Sequence, residues 1–354
     1  VRMIASIVSI IVYLITAFCC FGGAISPTFF PLGSVAVIGM PVMLTISAII
    51  TIAWFCCGHW IIGSAGVLMF IACASPIKMW FPMNSSSDPD PEAPTLKILT
   101  WNIQHGTDYE HPDSHQARTL SSILSIDADV VCLQEIYGFR KDLLKHYSQP
   151  AVDSLFSKYP YRLGNGKHDL QVLSKYPLRH IYFGTVNHYT LSECFVVKTP
   201  AREIAMANVH LPSFLLDADE RTLLNVKGTN KKDKERLGLS VVRKMERVFP
   251  GRAEAAEKVI NGFDGLSMPT IVVGDFNDVP ASWTYRLFLK DGFQDAYVAT
   301  NFFPTYTYYL NHMYFHLDQI FYRGGVRPLS VEKLNIPTSD HLPLVATFQI
   351  LEGY

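Results

Sequence analysis

The sequence predicts an α/β domain, two packed β-sheets with helices on their outer faces, preceded by an apolar helical region. Three observations carry this. From Val1 to Lys78 the only charged residues are Arg2 and Lys78, whereas all 31 acidic residues lie farther along the chain. Short runs of Val, Ile and Leu bounded by polar residues recur through the second part, a strand signature. Between some of them, apolar residues recur at three- and four-residue spacing, the pattern of helices laid on sheets. A chain of 354 residues accommodates one catalytic-size domain and such an extension.

The apolar region, residues 1–78, reads as about three membrane-spanning helices at 3–25, 35–57 and 60–75. A span needs about 20 apolar residues, and in lipid the backbone must satisfy its own hydrogen bonds, which leaves helices as the form of each run. A cleaved signal peptide would have a core of about 7 to 15 residues and would leave the two later runs unexplained. Three spans place the ends on opposite sides of the membrane. Arg2 and Lys78 sit at opposite ends, so the basic-residue bias does not orient the bundle; with the N-terminus cytoplasmic, the multi-pass chain carries an extracytoplasmic C-terminal domain. Residues 79–94, including Asn84-Ser85-Ser86-Ser87-Asp88-Pro89-Asp90-Pro91, are polar and proline-rich, which predicts a linker.

Residues 95–354 hold the strand runs: 96–101, 128–133, 172–173, 194–198, 204–209, 270–273, 317–322 and 344–350, with a helix around 117–125. A long helix is predicted over 231–261, where Leu237, Val241, Met245 and Val248 share a face. Its other face is basic, with nine Lys and Arg between Lys227 and Arg252. Such a run is either a solvated face or an anion-attracting rim beside the site or the membrane. Beyond Lys78 there are 28 basic residues against 31 acidic ones, a net charge of −3, which argues against tight nonspecific DNA binding. The seven cysteines form neither a disulfide framework nor a zinc spacing.

Polar residues fall at strand exits. Asn102, Glu135, His210, Asp275 and Asn277 each follow a β run, and Asp318, Asp340 and His341 flank the last two. Singly, each could be a turn or cap residue. Together they form an oxygen-rich set with two imidazoles and no thiolate, which suits Mg²⁺, or Mn²⁺, better than zinc and points to phosphoryl transfer.

The series Thr100-Trp101-Asn102, Leu133-Gln134-Glu135, Leu173-Ser174-Lys175-Tyr176-Pro177, Asn208-Val209-His210-Leu211, Gly274-Asp275-Phe276-Asn277, Leu317-Asp318-Gln319-Ile320-Phe321 and Ser339-Asp340-His341 resembles the endonuclease/exonuclease/phosphatase superfamily, in family order, from Leu96 to Ile350. The resemblance implies a four-layer α/β sandwich and a metal-dependent hydrolase of phosphoric esters. It implies Glu135 as principal metal ligand, with Asn102 and Asp340 completing or supporting the site. Asp275 would orient or deprotonate the attacking water and Asn277 would hold a phosphate oxygen. His341, fixed by Asp318, would face the scissile phosphate, and His210 would protonate the leaving oxygen. A histidine at 210 separates the chain from exonuclease III-type repair enzymes. The stretch Lys167-His168-Asp169-Leu170-Gln171-Val172 departs from the glycine-rich approach common in the family.

The function this implies is hydrolysis of a phosphodiester, a lipid head group or another surface ester, by a membrane-held enzyme. An extracytoplasmic nuclease acting on nucleic acid is the alternative, and a binding-only membrane protein a second. No intramembrane Asp, Glu or Lys marks a transport path. No stretch of the sequence points to a stable protein partner.

Overall fold

The central strands are buried along their whole length, since successive side chains point alternately to the partner sheet and to the covering helices. The computed structural model describes residues 2–86, 88, 90, 92–106, 118–136, 143–144, 147–164, 169–186, 189–214, 231–310 and 313–351. Lys167, His168 and Lys227 lie outside the described residues.

The first sheet contains β1 (Thr95–Asn102), β2 (Val130–Gln134), β3 (Tyr161–Leu163), β4 (Gln171–Ser174), β13 (Val326–Lys333) and β14 (Leu344–Ile350), in the order β13-β14-β1-β2-β4-β3. The second contains β5 (Leu178–Val186), β6 (Tyr189–Lys198), β7 (Glu203–His210), β8 (Thr270–Asp275), β9 (Gln294–Asp295) and β12 (Asp318–Arg323), in the order β5-β6-β7-β8-β12-β9. Each sheet has one central parallel pair, β1 with β2 and β7 with β8. Leu96, Ile98, Val130 and Val172 from one sheet pack against Phe195, Met206, Ile271 and Ile320 from the other. Outside the first sheet, Leu99, Trp101 and Val131 are covered by α6 (Arg118–Ile126) and α7 (Gln149–Lys158). Outside the second, Ala205, Ala207 and Val272 are covered by α8 (Lys231–Asn261) and α9 (Trp283–Lys290). The result is a four-layer α/β sandwich, as the sequence predicts.

Strands β5 and β13 and helices α7 and α9, together with the short α10 (Ala296–Thr300), go beyond the elements predicted from sequence. In β13 the run is broken by Pro328 at a register shift, tolerated beside only one partner strand. Helix α9 is set by its N-cap, where the Ser282 hydroxyl accepts from the Tyr285 amide at 3.2 Å. A small hairpin of β10 (Tyr308–Leu310) and β11 (Met313–Phe315) stands apart from both sheets.

The apolar region forms α1 (Arg2–Phe21), α2 (Pro31–Ile38), α3 (Met40–Cys56), α4 (Trp60–Ala72) and α5 (Ala74–Trp80). One helical stretch, Arg2–Ala24, is long and apolar enough to cross a membrane by itself. Two further crossings exist only if α2 with α3, bent by 61°, and α4 with α5, bent by 65°, each count as one. The bends fall at Gly39 beside Pro41 and at Cys73, close to Pro76. Polar side chains tie α1 to α3: Tyr13 to Thr51 at 3.0 Å, Thr16 to Ser47 at 2.7 Å, and Trp54 to Ser9 at 2.8 Å. At Gly66 a Cβ would lie 2.1 Å from the Thr51 hydroxyl, so glycine is what lets α4 close on this pair.

The helical region docks on the sandwich. Arg286 of α9 donates to the Cys20 carbonyl at 3.3 Å, and a Cβ on Gly23 would sit 2.0 Å from the Ala281 carbonyl. Val37 packs with Val279 and Ala281, flanked by Met79, Trp80, Phe315 and Leu317. The segment predicted as a linker also touches the sandwich, the Asn84 amide donating to the Asn301 carbonyl at 2.9 Å.

Candidate active site

Strand parity brings the site together. Asn102, Asn208, His210, Asp275 and Asp318 stand at even offsets from the inward-facing Ile98, Met206, Ile271 and Ile320, so all point between the sheets. Register aligns them: His210 pairs with Asp275, and Asp275 with Asp318, across β7, β8 and β12. Gly274 allows this close approach. Its φ is +140°, and a Cβ there would lie 2.0 Å from the Val209 carbonyl.

At the centre, Asn102 Nδ2 donates to Glu135 Oε1 at 3.0 Å and to Asp275 Oδ2 at 3.1 Å. Glu135 leaves β2 with φ +56°, a strained left-handed conformation for this residue, held where its carbonyl accepts from the His105 amide at 2.7 Å. Asp275 Oδ1 accepts the Asn277 amide at 2.8 Å, and the Asn277 side chain, from φ +51°, donates to the Leu211 carbonyl at 3.0 Å.

Two imidazole–carboxylate dyads flank this centre. His341 Nδ1 bonds Asp318 Oδ2 at 2.8 Å, which leaves Nε2 facing Asp275 Oδ2 at 3.6 Å. His210 Nδ1 bonds Asp169 Oδ2 at 2.5 Å, and its Nε2 lies 3.8 Å from both Glu135 Oε1 and Asp275 Oδ2. Burial would lower both imidazole pKa values. The carboxylates overcome it: Asp318 and Asp275 raise His341 to about 10, and Asp169, Asp275 and Glu135 raise His210 to about 9. The carboxylates thus favour the protonated form of both rings. Burial raises the Asp275 pKa, with His341 opposing the shift. The Nε2 separations exceed hydrogen-bond length, so neither ring is bonded to Asp275 and both Nε2 atoms remain open to another partner. Tyr308 stacks edge-on against His341, 5.1 Å between centroids.

All the residues singled out from sequence gather at this end of the sandwich. Asp340 is buried beside His341, its Oδ1 3.4 Å from the Ser339 hydroxyl. Sequence reasoning assigned no role to Asp169, which sits in the segment set aside as a departure from the family. It quoted Asn208 within a motif but gave it no role; the Asn208 side chain donates to the Leu133 and Gln171 carbonyls at 3.0 and 3.2 Å and accepts from Gln134 at 2.7 Å, lacing the two sheets beneath the site. Arg252 was read only as part of a basic run. It is fully buried, donates to the Pro212 carbonyl at 2.7 and 3.0 Å and lies 3.7 Å from Asp278, bracing the His210 and Asp275 loops. An inward parity position could have flagged Asn208; nothing in the sequence distinguished Arg252 from its exposed neighbours.

The arrangement defines a metal-dependent hydrolase acting on phosphoric ester bonds. The chain belongs to the Endonuclease/Exonuclease/phosphatase family, which it matches over residues 99–341. No curated protein matches it in sequence. Solved structures similar to it include an endonuclease/exonuclease/phosphatase from Beutenbergia cavernae, 15% identical over 73% of this chain and 72% of that one, TM-score 0.47. The human Nocturnin catalytic domain with a bound sulfate is 20% identical over 73% and 95%, TM-score 0.46. A Bacteroides vulgatus endonuclease/exonuclease/phosphatase is 16% identical over 73% and 99%, TM-score 0.46.

The donor set fits the divalent cation the family implies. Glu135 is about one-third exposed, its side chain at 32%, so it can take an ion that keeps part of its water shell. Glu135 and Asp275 oxygens converge on one amide of Asn102. Asp275, Asp318 and His341 also bring one ligand atom each within 4.8 Å of one another, a different trio from the Asn102, Glu135 and Asp340 set that the family resemblance implies. In that trio His341 Nδ1 is already spent on Asp318, and both its carboxylates are buried, which describes a charge-compensated dyad better than an ion's coordination shell.

Proposed function

We propose that the protein is a membrane-tethered, Mg²⁺-dependent phosphodiesterase that cleaves a lipid head-group ester by in-line attack of water. The observation that supports a lipid substrate is the docking of the helical region on the catalytic end of the sandwich. Val279 and Ala281, just after Asp275-Phe276-Asn277, and Leu317, just before Asp318, pack around Val37 of α2. A site held there meets its substrate at the bilayer surface, with the catalytic domain on the side opposite the N-terminus.

Glu135, with Asn102 and Asp340 in support, would hold the ion, which supplies Lewis-acid compensation for charge on the phosphate oxygens. The chain's own residues account for the rest. Asp275 orients the attacking water and, with its raised proton affinity, accepts a proton from it. Asn277 donates to a nonbridging oxygen. His341, held by Asp318, places a positive Nε2 against the phosphate, where charge accumulates in the transition state. His210, held by Asp169, delivers its Nε2 proton to the leaving oxygen.

The test is the full chain in phospholipid nanodiscs with Mg²⁺, assayed against sphingomyelin, glycerophospholipids, single- and double-stranded DNA, RNA and bis-p-nitrophenyl phosphate. Turnover of a bilayer phosphodiester, lost with EDTA, is the expected result. Turnover confined to nucleic acid would replace the lipid reading with the nuclease reading, and activity insensitive to EDTA would remove the metal.

A further inference from the structure

Helix α8 is longer than the sheet it covers. It has 31 residues, about 46 Å at 1.5 Å per residue, against six in β8, the strand that follows it. Arg252 marks the level of the active site, because its guanidinium bonds the Pro212 carbonyl and lies beside Asp278. Asn261 leads to the opposite, non-catalytic end of β8. The part of α8 before Arg252, residues 231–251, therefore continues for roughly 30 Å of helix from that level, with Pro250 at its base. This helix packs on α2, the bent juxtamembrane helix that also touches Val279 and Ala281.

The part before Arg252 has two faces. Val241, Val242, Met245 and Val248 are half-buried and Phe249 is buried. Arg236, Arg243 and Arg247 are exposed and spaced seven and four residues apart, so their guanidinium groups form one stripe. None of the three makes an ion pair or hydrogen bond among the described residues. The helix neutralises charge elsewhere: Lys258 pairs with Glu254 at 2.8 Å. An exposed arginine stripe on an amphipathic helix, continuous through α2 with an apolar bundle, has the chemistry of a surface that meets anionic head groups.

We propose that the N-terminal part of α8 is a bilayer-surface element whose Arg236, Arg243 and Arg247 bind anionic phospholipid head groups. The proposal rests on the reading of the apolar region as membrane-inserted. It assigns a role in seating the catalytic end, separate from the residues that act on the scissile phosphate.

Hydrogen–deuterium exchange of the full chain tests it, in nanodiscs of phosphatidylcholine alone and of phosphatidylcholine with phosphatidylglycerol. Exchange across 231–251 is expected to slow at least about fivefold in the anionic discs, the equivalent of one basic side chain at such a surface, and to recover in high salt. The triple variant Arg236→Gln, Arg243→Gln, Arg247→Gln should lose that difference while β7 and β8 peptides exchange as in wild type, which shows the fold is kept. Equal exchange of wild-type 231–251 in the two discs overturns the proposal alone. So does protection by single-stranded DNA in neutral discs with none from phosphatidylglycerol. A chain that alkaline carbonate strips from the bilayer overturns the membrane reading and this proposal with it.

Discussion

Asp169 is the residue on which the chemistry of His210 turns. Its carboxylate holds Nδ1, so the Nε2 proton is the one presented to the site. Asp169→Asn keeps the shape but removes the charge and the tautomer control, and should lower kcat roughly a hundredfold with little change in KM; steady-state kinetics on bis-p-nitrophenyl phosphate checks this, and a change confined to KM would recast Asp169 as a substrate contact. His341→Ala removes the second positive Nε2 and should cost at least about a thousandfold. Near-normal turnover of the purified variant would refute its assignment.

At the scale of single elements, β6 carries a conflict. Glu193 alternates with Phe195 and Val197 toward the space between the sheets, is buried, and has one carboxylate oxygen without a hydrogen-bond partner. Desolvation raises its pKa to about 7 from an ordinary value of 4.5. The folded state thus holds this proton more tightly than the unfolded state. Stability from this group is fully present below about 4.5 and is lost as pH rises through 7. From Glu193 alone the loss should amount to roughly 2–3 kcal/mol between pH 5 and 8. Glu193→Gln should reduce the wild-type loss by about that amount and leave the part due to His210 and His341, read from denaturant midpoints at the two pH values; an unchanged loss would assign none of it to Glu193.

Across the whole molecule, the proposed lipid substrate rests on the junction between helices and sandwich. Gly23 fits directly under the Ala281 carbonyl, where any side chain collides. Gly23→Val should loosen this seat. On the docking argument, turnover of a bilayer phosphodiester should fall at least about tenfold while bis-p-nitrophenyl phosphate turnover stays within about twofold, since the soluble ester needs orientation at the site but no approach to the bilayer. Equal losses on both substrates would show that the junction merely supports the catalytic loops.

Short apolar runs such as Ile98 to Trp101 and Ile271 to Val273, each with a polar residue at its exit, made the strands legible, because a strand buried on both faces is apolar at nearly every position. The family match over residues 99–341 shows that the order of these motifs was legible too. Edge strands such as β13 were not, since one-sided pairing tolerates the proline and charges that erase the pattern. Asp169, Asn208 and Arg252 were silent for another reason: their roles are fixed by partners 41, 37 and 40 residues away, His210, Gln171 and Pro212, and sequence spacing carries no distance. The sequence by itself thus determined the sandwich, its inward-facing polar residues and the apolar region. Only the tertiary structure decided that two imidazoles share Asp275, and that the apolar helices seat against the catalytic end, because both depend on packing between segments that local propensity does not join.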